Sequence, residues 1–115
     1  MREPSFLVLA ALASGPRHGY AIMVAIQEEA GEGRGLKPGT LYAALDRLSG
    51  EGLIHVVREE VVDGRPRRYY DLTDDGVAAL EAEVARLQHR SAFALRGLGT
   101  RRLGTRGLGL RGATA

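Results

Sequence analysis

The chain has no cysteine in its 115 residues, which excludes a disulfide framework, thiolate metal sites and cysteine nucleophiles together. It also lacks a long apolar run. The stretch from Phe6 to Ala13 is shorter than a bilayer span, and MREPSFLVLAALASG has none of the layout of a signal peptide. A cytoplasmic protein with no membrane partner is the expectation. Acid is missing from the last twenty residues. Residues 96–115 hold five Arg and no Asp or Glu, whereas residues 1–95 hold 11 Lys+Arg against 14 Asp+Glu. The overall charge of +2 is therefore a +5 tail on a −3 body, and any basic surface on the body must be local.

Catalytic constellations are missing as well. His18, His55 and His89 are scattered, with no i, i+4 pairing and no carboxylate at ligand spacing, so no metal site is expected. GEGRGLKPGT is rich in glycine but has Pro38 where a phosphate loop needs Ser or Thr after its Lys. Glu28-Glu29 and Asp74-Asp75 are adjacent in sequence and diverge on a helix, which makes poor acid–base pairs. Neither an enzyme nor a cofactor is expected.

The length fits one domain. Pro4 suits a first helical turn, and Leu7, Leu9, Ala10, Leu12 and Ala13 form an apolar stretch that stops at Gly15-Pro16. Ile22, Ala25, Ile26 and Ala30 predict a second helix, which the glycines of GEGRG break. A third starts at Pro38, with Leu41, Ala44, Leu45 and Leu48 at i, i+3, i+4 and i+7, and ends at Gly52 with Leu53 placed for a capping contact. The period then changes. Val56, Val57, Val61 and Val62, followed by Arg68, Tyr69, Tyr70 and Leu72, read as two strands joined by an Asp63-Gly64 turn. Thr73 can cap a last helix, along which Val77, Leu80, Val84 and Leu87 alternate spacings of three and four. From about residue 97 the composition collapses to Gly, Leu, Arg and Thr, which predicts a disordered tail.

Helix, helix, helix, strand, strand, helix is the order of a winged helix-turn-helix, an α+β and mostly α fold. The expected division is residues 1–73 as the winged domain, 74–96 as a dimerisation helix and 97–115 as the tail. In such a fold the third helix enters the major groove and the ribbon reaches the neighbouring backbone. Lys37 and Thr40 would add a cation and a hydroxyl to the helix N-terminus, and Thr40, Tyr42, Ala43 and Arg47 lie away from the leucines. Arg65 and Arg67 share one face of the ribbon; Arg68 points to the other, in reach of Glu59 or Glu60.

LASGPRHGYAI, KPGTLYAALDRLSGEGLI and GRPRRYYDLTDDG, in this order, closely resemble the PadR family of bacterial transcriptional regulators over roughly residues 5–88. The resemblance implies a repressor of double-stranded DNA acting as a homodimer through its C-terminal helix, often released by a small molecule. On matching positions it favours Tyr20, Lys37, Pro38, Thr40, Tyr42, Arg65 and Arg67 as the DNA-facing set, with Arg47 added from the helix pattern. Phe6, Val77, Leu80, Val84 and Leu87 are the expected dimer residues, and Phe6 and Phe93 suit an apolar or aromatic effector. Longer family members carry an extended C-terminal region, so the match is to the short, single-helix type. A twofold dimer predicts a pseudo-palindromic operator.

Plainer readings exist for each feature. Lys37 and Thr40 also suit a solvated helix start, and Tyr20 and Tyr42 suit packing beside a turn. A winged-helix module that binds protein and never meets DNA is the alternative that the −3 body favours. Nonspecific nucleic-acid binding by the tail alone is a third.

Overall fold

The computed structural model describes residues 1–107, with side chains to residue 104. Its elements run α1 (Glu3–Ala11), β1 (Arg17–His18), α2 (Gly19–Ala30), α3 (Pro38–Gly50), β2 (Ile54–Val62), β3 (Arg65–Leu72) and α4 (Asp74–Gly107). The strands form one antiparallel sheet in the order β1-β3-β2. This is the α+β, mostly α arrangement that the sequence predicts, with one addition. β1 is only two residues long and pairs with the base of β3, Arg17 to Tyr70 and His18 to Tyr69, which locks the turn before α2 to the ribbon.

Pro4 sits in the first turn of α1, and Pro38 opens α3 with Lys37 as its N-cap, positions at which a missing N–H is no loss. Three helices close on a core of Val8, Leu9, Leu12, Ile22, Ile26, Leu41, Ala44, Leu45 and Leu48, completed by Ile54 of β2. The four helical positions singled out on α3 are all fully buried. α1 stops at Ala11, earlier than Gly15, yet Leu12 still reaches the core as its C-cap residue.

Two corners fix the elements that follow. After α3, Leu53 N–H donates to Leu48 O at 3.0 Å and Gly52 N–H to Ser49 O at 3.1 Å, with Gly52 at φ 75°. This double closure needs the left-handed backbone that glycine adopts freely. Thr73 then ties α4 to the same corner: its hydroxyl donates to Gly52 O at 2.6 Å and accepts from Gly76 N–H at 3.0 Å.

In the ribbon Asp63 and Gly64 both take positive φ, 52° and 75°, as a two-residue turn between right-twisted strands requires. A β-bulge at Val57 shifts the register from Val56–Tyr70 to Arg58–Tyr69. Beyond it Arg58, Glu60 and Val62 share a face with Tyr69, Arg67 and Arg65. Arg68 lies opposite Glu59 on the other face, 3.6 Å away, as the alternation predicts.

The chain divides into two compact units, Met1–Glu83 and a second beginning at Val84. α4 contributes to both. In the first, Leu80 packs against the core while Val77 remains 43% exposed. In the second, Val84, Leu87, Phe93, Leu95, Leu98 and Leu103 are all exposed. α4 continues past Arg96, where the sequence reading ended it, so residues 97–107 are helical and not a disordered tail. Each glycine there costs about 1 kcal/mol relative to alanine, but Leu and Arg between them are good helix formers, and a helix once nucleated extends residue by residue. Residues 108–115, the rest of the expected tail, lie outside the described residues.

Candidate nucleic-acid interface

The first turn of α2, the outer face of α3 and the ribbon face each other across an open cleft within the first unit. Tyr20, Tyr42, Asp46, Arg65 and Arg67 line it. Tyr20 and Tyr42 are 67% and 51% exposed, an unusual state for large aromatic side chains in a small domain. Tyr42 is nonetheless positioned: a β-carbon built on buried Gly19 would come within 2.9 Å of its hydroxyl oxygen, so the ring lies flush against the start of α2. Arg65 is exposed and Arg67 half-buried, and among the described residues neither has an ion pair.

Lys37, Pro38 and Thr40 are exposed at the N-terminal end of α3, where unpaired N–H groups and the helix dipole favour an anion. They do not line the cleft itself, so the expected set divides between it and the helix end. Arg47 departs from expectation. Its guanidinium donates to the hydroxyl of buried Ser5 at 2.8 Å and lies 4.0 Å from Glu51, joining α3 to α1 instead of standing free on the groove-facing side. On the helix it adjoins the buried Ala44–Leu48 edge, which brings it beside α1.

Two groups in or beside the cleft were not legible as site residues. Arg58 stacks over the Tyr69 ring at 3.9 Å from its centroid, and the Tyr69 hydroxyl donates to Glu60 at 2.7 Å. His18 accepts from Ala21 N–H through Nδ1 at 3.3 Å and meets Tyr69 edge-on at 5.3 Å. Burial first, then the Arg67 charge, against an opposing pull from Glu60, hold its pKa below the ordinary 6.5.

That depression has a testable sign. The unfolded chain takes up this proton at higher pH than the folded one, so the stability His18 contributes is present above about pH 6.5 and fades on acidification. His18→Asn keeps a capping acceptor. Its thermal midpoint should fall less than that of the wild type between about pH 7.5 and pH 5.5. Equal falls in both proteins would remove His18 as the source.

Three helices, a two-stranded ribbon and a cationic cleft between ribbon and third helix define a winged helix-turn-helix domain. The chain belongs to the transcriptional regulator PadR-like family, whose model matches residues 8–82. It is 42% identical over 71 residues to the transcriptional regulator Rv3488 of Mycobacterium tuberculosis, covering 62% of this chain and 65% of that one. It is 44% identical over 91 residues to an uncharacterized 37.1 kDa protein in transposon TN4556 of Streptomyces fradiae, covering 76% of this chain and 25% of that protein. It thus spans less than two thirds of the length of either relative. Among solved structures, a PadR family transcription regulator from Clostridium difficile superposes with a TM-score of 0.70 at 27% identity, covering 84% of this chain and 99% of the other. Bacillus subtilis PadR, solved in complex with operator DNA, superposes with a TM-score of 0.65 at 28% identity, covering 72% of this chain and 47% of that one. Among the described residues no group of three or more His, Asp or Glu is placed to hold a metal ion, and no helix is long and apolar enough to cross a membrane.

Proposed function

We propose that the protein is a sequence-specific DNA-binding regulator, a repressor that acts as a homodimer on a pseudo-palindromic operator. The observation that carries this reading is local charge. Residues 1–83 hold nine Lys+Arg against 14 Asp+Glu, yet Arg65 and Arg67 stand together in the cleft and, among the described residues, neither has an ion pair, with Lys37 at the N-terminus of α3. Cations kept free on an acidic domain suit phosphate. Likeness to Bacillus subtilis PadR, which was solved on operator DNA, supports a DNA-binding role.

Val77, Leu80, Val84 and Leu87 recur along α4 at heptad spacing, and three of them are about two-fifths exposed. A second copy of α4 is the partner that this pattern suits. Phe6 lines an apolar groove between α1 and α2 with Leu7, Ala10 and Ile26, which fits both a dimer contact and a small apolar or aromatic effector. Such an effector would release the operator.

Binding should weaken steeply with salt, and Lys37→Ala and Arg67→Ala should each lower the logarithmic salt slope by about one. Fluorescence anisotropy titrations at several salt concentrations read this directly. Unchanged slopes in both variants would remove this face from the interface, and absence of any duplex binding would leave the protein-interaction module as the better reading.

A further inference from the structure

α3 turns one strip of residues away from the core. Gly39, Ala43 and Asp46 follow at i, i+4 and i+7, all exposed, on the side opposite Leu41, Ala44, Leu45 and Leu48. The first two have almost no side chain, and nothing lies within 4 Å of the β-carbon position of Gly39. A helix edge this lean can approach a groove floor closely. Asp46 is then the first group on the strip able to form a hydrogen bond. It lines the cleft beside Tyr42, Arg65 and Arg67, and among the described residues it has neither a hydrogen bond nor an ion pair.

A free acid in the middle of a surface offered to a polyanion is repelled by every phosphate it meets. It lowers affinity for all duplexes alike unless a donor awaits it. Resting on the DNA-binding reading above, we infer that Asp46 is a specificity-determining residue that accepts a hydrogen bond from the N4 amino group of a cytosine in the major groove. The chemistry selects that base. A carboxylate only accepts, and guanine and thymine present only acceptors there, with a methyl group on thymine. Adenine has an N6 donor, but it is flanked by its own N7 and by thymine O4. The cytosine N4 donor has an acceptor on one side only, the O6 of its paired guanine.

The test is selection of bound sequences from a random duplex pool by the full-length protein, Asp46→Ala and Asp46→Asn. The wild type should enrich a symmetric site with a cytosine at one position of each half-site, preferred roughly tenfold over other bases. Asp46→Ala should level the four bases at that position and leave the remaining positions intact, with an unchanged salt slope because no phosphate contact is lost. Asp46→Asn should shift the preference to adenine, whose N6 and N7 suit an amide. Both substitutions fall on an exposed, unpartnered side chain, so circular dichroism melts should match the wild type. The same enriched sequence from all three proteins would overturn the inference while leaving DNA binding intact. A wild type that enriches nothing would overturn the DNA-binding reading and this inference with it.

Discussion

Gly76→Ala is expected to lower the thermal midpoint by roughly 10 °C or more, from a loss of about 2–3 kcal/mol. Replacing glycine by alanine inside a helix ordinarily gains about 1 kcal/mol, so the expected sign is reversed. The reason is the corner where α4 begins. Thr73 N–H donates to Leu53 O at 3.1 Å, the Thr73 hydroxyl holds Gly52 O and Gly76 N–H, and a β-carbon on Gly76 would fall onto the Leu53 carbonyl. Backbone on both sides cannot yield as a side-chain tip would. Gly97, on the same helix with nothing within 4 Å, supplies the control: Gly97→Ala should leave the midpoint level or raise it. Circular dichroism melts of the two variants decide the matter. A Gly76→Ala protein as stable as the wild type would mean that the corner is free to shift.

The second large effect concerns the proposed dimer. Val84→Glu combined with Leu87→Glu should yield a monomer by sedimentation and weaken binding to a two-half-site operator by about 10²- to 10⁴-fold, since linked half-sites are bound at high effective concentration and separate ones are not. Both residues are about two-fifths exposed, so the folded monomer should keep its melting cooperativity. Affinity for a single half-site should change little. If the variant remains dimeric, another surface joins the chains.

Much of this fold was legible because its signals are local. The spacing of Leu41, Ala44, Leu45 and Leu48 identified the buried face of α3, and Asp63-Gly64 and Thr73 marked a turn and a cap whose geometry depends on a few neighbouring residues. β1 was not legible, because a two-residue strand has no alternation of its own and exists only through its pairing with Tyr69 and Tyr70. The end of α4 was misread because glycine content measures propensity, while extension of a formed helix depends on what precedes it. In the candidate site, the alternation of Arg65, Arg67 and Arg68 narrowed the partner of Arg68 to Glu59 or Glu60, and Glu59 is the one it meets. The same helical spacing put Arg47 on the groove-facing side, and its tie to Ser5 could not be foreseen because it spans 42 residues of sequence. Asp46 drew no attention for the opposite reason: charge alone makes it look like ordinary solvated surface.

The extra residue at Val57 governs how the wing can vary in length. With it, Arg58 is placed over Tyr69 and shares the side of Arg65 and Arg67. Excising Val57 would leave those pairings standing, with Val56 on Tyr70 and Arg58 on Tyr69 as consecutive rungs of an unbroken ladder. Shortening β2 by this one residue therefore conserves the chemistry of the wing, and a relative whose second strand lacks it should still present the same side chains on each face.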